Sequence, residues 1–270
     1  MLLSGFKLPV EHLSASAIAD FLTCPERYRQ ERVLKVPKKR NLDAFIGSVH
    51  HDTVEENFAQ KIHSAKDMSL DQQSSVYRYK WAEAIEIEGE PVWTEHPDNV
   101  EALGLKMLGA FHADVAPTIH PIAVEQRFED NVPGVPVPII GYLDVLENET
   151  IQEFKTAKAK TTAPKPNWRM QAMIYQLFVR KPVYWTVTTK QKTPNNWFWQ
   201  NSPDLVLQVG NPDITARLIV QAAEMLNECW LRYGPNEPWP MNGLMHSWAC
   251  SYCSVGPKNP NPTCPAWRKP

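Results

Sequence analysis

The feature that most constrains this chain is Gly141-Tyr-Leu-Asp144 followed, after eight intervening residues, by Glu153-Phe-Lys155. Both runs sit in β-prone stretches, 137–145 and 151–156, which read as strands. Asn148-Glu149 lies midway and supplies a two-residue turn. That turn sets Glu147 against Thr150 and, counting back, Asp144 against Glu153. Cross-strand neighbours of this kind hold their Cβ atoms about 4.5–5.5 Å apart. Lys155 is two residues beyond Glu153 and therefore on the same face of its strand. Two adjacent carboxylates repel unless a cation sits between them, and hard oxygen ligands suit Mg²⁺ or Mn²⁺. Such a cation activates water and neutralises phosphate oxygens, with the lysine placed to orient the water or offset developing charge. Taken alone, the pattern fits a solvated hairpin with surface ion pairs equally well, so the remaining chain has to decide.

Upstream of the hairpin the chain reads as helical. Ser14 or Ser16 caps a first helix reaching about residue 32, interrupted at Pro25. A second helix is predicted over 43–61, with Phe45, Val49, Val54 and Phe58 on or near one apolar face. Helix-prone stretches follow at 71–87 and 99–116, and residues 122–128 alternate as a strand. Downstream, Pro164 and Pro166 precede a helix over 167–179, Pro182 opens a strand over 183–189, and a further strand is expected at 205–209. A long helix is predicted over 213–233, and the tail, 234–270, is rich in Pro, Trp and Cys with little periodicity. The order implies an α/β core with a helical N-terminal elaboration.

At 270 residues and 43% apolar content the chain can bury a sizeable core in one large domain. A net charge of −2 argues against a broadly basic nucleic-acid surface but leaves room for a local cationic path. No run of about 18 apolar residues is present, so no membrane span is expected. The opening MLLSGFKLPVEHLS is too weakly apolar for a secretory signal, which predicts an intracellular, cytoplasmic location. In that setting the five cysteines are expected to bind metal or stay reduced. The G-x-x-x-x-G-K-[ST] pattern is absent, so nothing suggests a built-in ATP motor.

Two further motifs join the hairpin in a fixed order: Gly47-Ser-Val-His-His51 on the second helix, and Gln171-Ala-Met-Ile-Tyr175 on the helix after it. With the G-x-x-D and E-x-K strands, these G-x-x-x-H and Q-x-x-x-Y elements resemble the PD-(D/E)XK nuclease superfamily, specifically its RecB-like and Cas4-like branch. The resemblance implies a restriction-endonuclease-like αβββαβ core with a helical N-terminal insertion and a cysteine-stapled C-terminal tail. It implies a single domain, 1–270: a mainly helical part over 14–120, a catalytic sheet core over 121–210, and a terminal helix and tail over 211–270. Asp144, Glu153, Lys155, Gln171 and Tyr175 would form the catalytic set. His51, Asp144, Glu153 and the Phe154 carbonyl would ligate Mg²⁺ or Mn²⁺, with His50 adjacent as an alternative to His51. Glu125 lies on the preceding strand, where the family often carries an acid near its site. Gln171 and Tyr175 are four apart and share a helix face, which would support the site.

The same resemblance assigns the cysteines. Cys24, in a C-P-x-x-Y context, would join Cys250, Cys253 and Cys264 around a [4Fe-4S] cluster; four thiolates also suit structural Zn²⁺, and spacing does not separate the two. Ten residues separate Cys253 from Cys264, longer than the family's usual interval, while Cys229 reads as a small apolar residue in a helix. Such a staple would tie the first helix to the tail.

Basic residues group at Arg27, Arg29, Arg32, Lys35, Lys38, Lys39 and Arg40, and again at Lys155, Lys158, Lys160, Lys165 and Arg169. With Trp168, Trp197 and Trp199 they suit the stacking and guiding of a single strand, although solvated faces and core tryptophans account for the same residues. The expected activity is a free-standing, metal-dependent exonuclease working on DNA ends, on single strands, in recombination, repair or DNA processing. The alternatives are a structure-specific endonuclease on the same fold and a DNA-binding assembly subunit of recombination or repair proteins.

Overall fold

The computed structural model describes residues 6–37, 40–160, 164–200 and 212–241, together with Cys250, Cys253, Gly256 and Cys264. The first helix, α1 (Ala15–Thr23), is capped by Ser14, whose hydroxyl accepts the Ala17 N–H at 3.1 Å. Cys24 ends α1 and opens α2 (Pro25–Tyr28), where Pro25 takes the first position and costs no hydrogen bond. A π-helical turn, Arg29–Val33, completes the run.

Three longer helices follow: α3 (Leu42–Ser64), capped by Asn41; α4 (Leu70–Glu88), opened by a Ser69–Gln72 capping box; and α5 (Pro97–Asp114). Their apolar faces meet in a cluster built on Phe45, Phe58, Tyr77, Met107 and Phe111, which also takes in Val145 and Phe154 from the sheet. Among the described residues the sheet has five strands in sequential order: β1 (Ala123–Asp130), β2 (Ile139–Leu146), β3 (Ile151–Ala157), β4 (Val183–Thr189) and β5 (Asn196–Gln200). All neighbours are antiparallel except β3 and β4, which run parallel and are joined by the crossover helix α6 (Pro166–Val179). Against the other side lie α1, α6 and α7 (Pro212–Tyr233), around Ile18, Phe21, Leu143, Ile174, Trp185 and Ile219. No helix among the described residues is long and apolar enough to cross a membrane.

One expectation changes and one strand is added. The strand expected at 205–209 lies outside the described residues; the fifth strand seen is β5, which carries Trp197 and Trp199 and pairs with β4. The first basic group is largely engaged inside the fold. Arg29 is buried and donates to the fully buried Glu26 carboxylate at 2.8 and 2.7 Å. Arg27 pairs with Glu31, Arg32 with Asp20, and Arg40 with Glu88. Lys38 and Lys39 lie outside the described residues.

Glu26 also accepts the Gln30 side-chain amide and the Trp239 backbone N–H, both at 2.7 Å, while Arg29 reaches the Pro235 carbonyl at 2.6 Å. Trp239 stacks on Tyr28 with ring centroids 6.3 Å apart. The segment after α7 is thus docked on α2. A buried carboxylate is tolerated here because all these donors face it.

Gly141 lies in β2 opposite Phe128, and a Cβ there would stand 2.4 Å from two Phe128 ring carbons and 3.0 Å from the Tyr175 ring. Gly141→Ala is therefore expected to overpack this contact and cost about 1–3 kcal/mol, read as a loss of several degrees in thermal midpoint. An unchanged melting curve would mean the rings move aside freely.

Candidate active site

The β2–β3 hairpin closes as the turn residues demand, with the Glu147 N–H donating to the Thr150 carbonyl at 2.9 Å. The ladder then pairs Leu146 with Ile151 and Val145 with Gln152. One step further, where Asp144 comes opposite Glu153, side chains take over. The Phe154 N–H donates to Asp144 Oδ2 at 2.7 Å, and the Asp144 N–H lies 3.4 Å from Glu153 Oε1. The strands part, and the carboxylates fill the gap.

Lys155 stands beside them, its Nζ 2.8 Å from Glu153 Oε2 and 4.0 Å from Asp144 Oδ2. From α3, His51 Nε2 comes within 3.1 Å of Asp144 Oδ1 and 3.8 Å of Glu125 Oε1. Glu125 occupies the β1 position facing Asp144, between the paired residues Val124 and Gln126, yet its φ is 47°. A left-handed residue within a strand carries strain of order 1–3 kcal/mol, and it interrupts the pairing beside the cluster.

His51, Glu125 and Asp144 each offer one ligand atom, all within 4.8 Å of one another. His51, Asp52 and Glu55 form a second such group on α3. One imidazole with several carboxylate oxygens suits Mn²⁺ or Mg²⁺. Glu153 is fully buried and accepts from Lys155 and the Asp144 amide, while Glu125 turns its carboxylate toward His51.

The electrostatics show how crowded the anions are. Burial and Asp144 push Glu153 up to about 7 against the pull of Lys155, and the same two causes push Glu125 up to about 7. Burial would raise Asp144 too, but Lys155 and His51 outweigh it and hold it below the usual carboxylate range. Burial opposes the charge on His51, yet Asp144 raises it to about 9. Lys155 is likewise raised by Glu153 and Asp144 in spite of burial. Three carboxylates share one lysine and one histidine, an arrangement that a divalent cation relieves.

The sequence profile of the PD-(D/E)XK nuclease superfamily matches residues 12–257. The chain belongs to this superfamily. The βββαβ order of the sheet and the preceding helices agree with its restriction-endonuclease-like fold. The nuclease is similar in fold to the crystal structure of a candidate exonuclease from Eubacterium rectale, with a TM-score of 0.56 and 14% identity over 86% of this chain and 85% of that one. A second solved structure, SSO0001, gives a TM-score of 0.42 and 16% identity over 96% of this chain and 88% of its own, too distant to carry an argument. No curated protein matches.

Of the two adjacent histidines, only His51 reaches the carboxylates. His50 is buried edge-on against Phe111, neither ring nitrogen has a hydrogen-bond partner, and burial with the neighbouring His51 pushes it down to about 3. Gln171 and Tyr175 of this nuclease brace a strand. The Gln171 amide donates to the Tyr175 hydroxyl at 2.9 Å, and that hydroxyl donates to the Tyr142 carbonyl at 2.6 Å, two residues before Asp144. The sequence places Glu125 near the site but outside the ligand set. Its place on the strand beside the G-x-x-D motif was the available signal; its turn toward His51 was not.

The cysteines lie around the docked tail. Cys24 is the joint between α1 and α2, and the next residue but one, Glu26, donates its N–H to the Pro240 carbonyl. Cys250 and Cys253 close a turn, with the Cys253 N–H 3.3 Å from the Cys250 carbonyl, and Cys253 is near enough to Arg27 to act on its charge. Cys264 Sγ is 3.9 Å from Met241 Sδ, next to Pro240. Cys229 is buried in α7, and none of the five forms a disulfide.

Tyr175→Phe removes the hydroxyl that fastens α6 to β2 and should lower stability by about 1 kcal/mol. Because the hydroxyl acts through the strand carrying Asp144, turnover should fall more than substrate affinity. A rise in KM with kcat unchanged would instead place Tyr175 against the substrate.

Proposed function

We propose that this nuclease is a metal-dependent deoxyribonuclease that hydrolyses phosphodiester bonds from free ends of single-stranded DNA. The observation that carries the reading is the convergence of His51, Glu125 and Asp144 beside Lys155. His51, Glu125 and Asp144 would hold Mg²⁺ or Mn²⁺, with Glu153 and the Phe154 carbonyl as further oxygen donors. A cation held there would supply the charge that activates a water and offsets the phosphate. Lys155, held in place by Glu153, donates toward the attacking water or a phosphate oxygen as negative charge builds. Asp144 keeps its charge because Lys155 and His51 face it, so it remains an acceptor at neutral pH. Gln171 and Tyr175 fix the strand from which Asp144 projects. The name of the Eubacterium rectale protein points toward an exonuclease as well. Recombination, repair and DNA processing all provide such ends.

The test compares end-labelled linear with covalently closed circular single-stranded DNA, with Mg²⁺ or Mn²⁺, using anaerobically purified protein. Linear DNA should be degraded and circles spared, and Asp144→Ala and Lys155→Ala should each slow cleavage by about 10²-fold or more. Circle cutting would make the enzyme an endonuclease. Binding without cutting by the wild type would make it an assembly subunit.

Cys24, Cys250, Cys253 and Cys264 are further proposed to hold a [4Fe-4S] cluster. Docking of the tail on α2 beside Cys24 supports this. Iron content and visible absorbance of anaerobic protein test it, and Cys24→Ser should lose both while the fold survives. Zinc in place of iron would identify a structural zinc site, and absence of both metals would end the cysteine-site reading.

A further inference from the structure

The layer that α3 lays on the sheet ends at the catalytic cluster. Its apolar side chains pack on Val145 and partly cover Val124, and the next residues along those two strands are Asp144 and Glu125. Beyond them Arg127, Glu129 and Tyr142 are exposed. Leu143 packs with the α1, α6 and α7 layer, and Gly141 lies against Phe128 and Tyr175. Tyr142, between the two, therefore points to the opposite side of the sheet. That is the side from which His51 of α3 reaches Asp144. The cluster thus opens onto a bare stretch of β1 and β2 on which the Tyr142 ring stands.

A single exposed apolar side chain needs no explanation by itself. This one differs in how firmly it is placed and how little covers it. Its carbonyl accepts the Tyr175 hydroxyl at 2.6 Å, and Gly141 just before it sits so close to Phe128 that a Cβ would stand 2.4 Å from that ring. The main chain beneath Tyr142 is therefore fixed, yet the side chain is 49% exposed. Arg127, its partner across the β1–β2 ladder, engages the hydroxyl at the ring's edge and also pairs with Glu129. No aromatic ring stacks on Tyr142 among the described residues. Two residues of strand set it about 7 Å along β2 from Asp144. A fixed ring with an open face, within a nucleotide's reach of the catalytic carboxylate, suits the flat face of a base.

We propose that Tyr142 is the stacking platform for one unpaired base of the DNA strand, next to the phosphate that is cut. The proposal rests on the nuclease reading above and names the base subsite of that same centre. Open sheet faces bearing aromatic rings are a recurrent way of holding single strands, because every base has a π-face and stacking is indifferent to sequence. A base within a duplex has both faces covered by its neighbours, so the ring takes an unpaired one. Arg127 adds little charge to the subsite, since Glu129 offsets it. The contribution of Tyr142 is therefore stacking, which salt screens little, rather than phosphate contact, which it screens strongly. Holding the base fixes the position of the adjoining phosphate relative to Asp144.

The experiment measures binding of two fluorescein-labelled strands of equal length by fluorescence anisotropy, without divalent metal, across a salt series. One strand is an oligothymidylate, the other the same backbone with abasic sugars throughout. Tyr142→Ala should weaken oligothymidylate binding by about 5- to 100-fold, the range of one base–aromatic stack, and leave the slope of log K against log salt unchanged. Its binding of the abasic strand should match wild type, and Tyr142→Phe should restore oligothymidylate binding. Tyr79→Ala, which removes an exposed ring of α4, should change nothing. Wild-type affinity of Tyr142→Ala for oligothymidylate would overturn the subsite, even in an enzyme that cuts DNA normally. So would an equal loss on the abasic strand, which would place the effect in the fold or the backbone path. A base-dependent loss of the same size in Tyr79→Ala would overturn it as non-specific stacking. Wild type that shows the Tyr142 effect but never cleaves with Mn²⁺ would uphold the subsite and refute the catalytic reading alone.

Discussion

The hydrogen bond from the Phe154 amide to the Asp144 carboxylate is the interaction on which the site depends. A strand amide ordinarily donates to a neighbouring carbonyl, and here a side chain takes that acceptor's place. The substitution lets β2 and β3 separate beyond Val145 and Gln152 without leaving a buried donor unpaired. It also fixes the Asp144 side chain, since a hydrogen bond to a charged group contributes about 1.5–3 kcal/mol. Each other component is aimed from this fixed point. His51 arrives from α3 because Phe45, Val49 and Phe58 bury that helix, and Tyr175 fastens the strand from the opposite layer.

Holding three carboxylates in one place works against stability, and the structure shows where the opposition falls. Glu153 is fully buried and shifts toward the neutral form, while Glu125 shifts similarly and sits in a left-handed conformation that its strand would otherwise avoid. Lys155 and His51 offset only part of the repulsion. Strain and like-charge crowding concentrated in one cluster, with well-packed helical layers on both sides, is the distribution expected when a site is preorganised for a cation.

Much of this was legible in the sequence because it depends on local rules. The Asn148-Glu149 turn set the hairpin register, and that register alone put Asp144 opposite Glu153 and Lys155 on the same face. Apolar spacing located α3, α6 and α7 to within a few residues. What escaped depends on distant partners. Arg29 looked like part of a basic path, but its partner Glu26 is completed by the Trp239 amide, 213 residues away. β5 was missed because Pro194-Asn195-Asn196 reads as a loop, whereas Asn196 opens a strand against β4. Glu125 was underrated because a φ of 47° cannot be read from a strand-like sequence; it follows from what β2 does beside it.

The buried Glu26 network also bears on the proposed cysteine site. Cys24 and Cys250 are 226 residues apart, so a ligand joining them would seem to close a very long loop. The chain is already fastened at Trp239 and Pro240 by protein hydrogen bonds alone, which leaves ten residues from Pro240 to Cys250. Loop-closure entropy grows as the logarithm of length, so the stabilisation available to the proposed staple would be about 3 kcal/mol smaller than the sequence separation implies. The network then holds the end of α7 and the following turn to α2, independently of metal. A group held as proposed by Cys24, Cys250, Cys253 and Cys264 would add to this fastening more than create it.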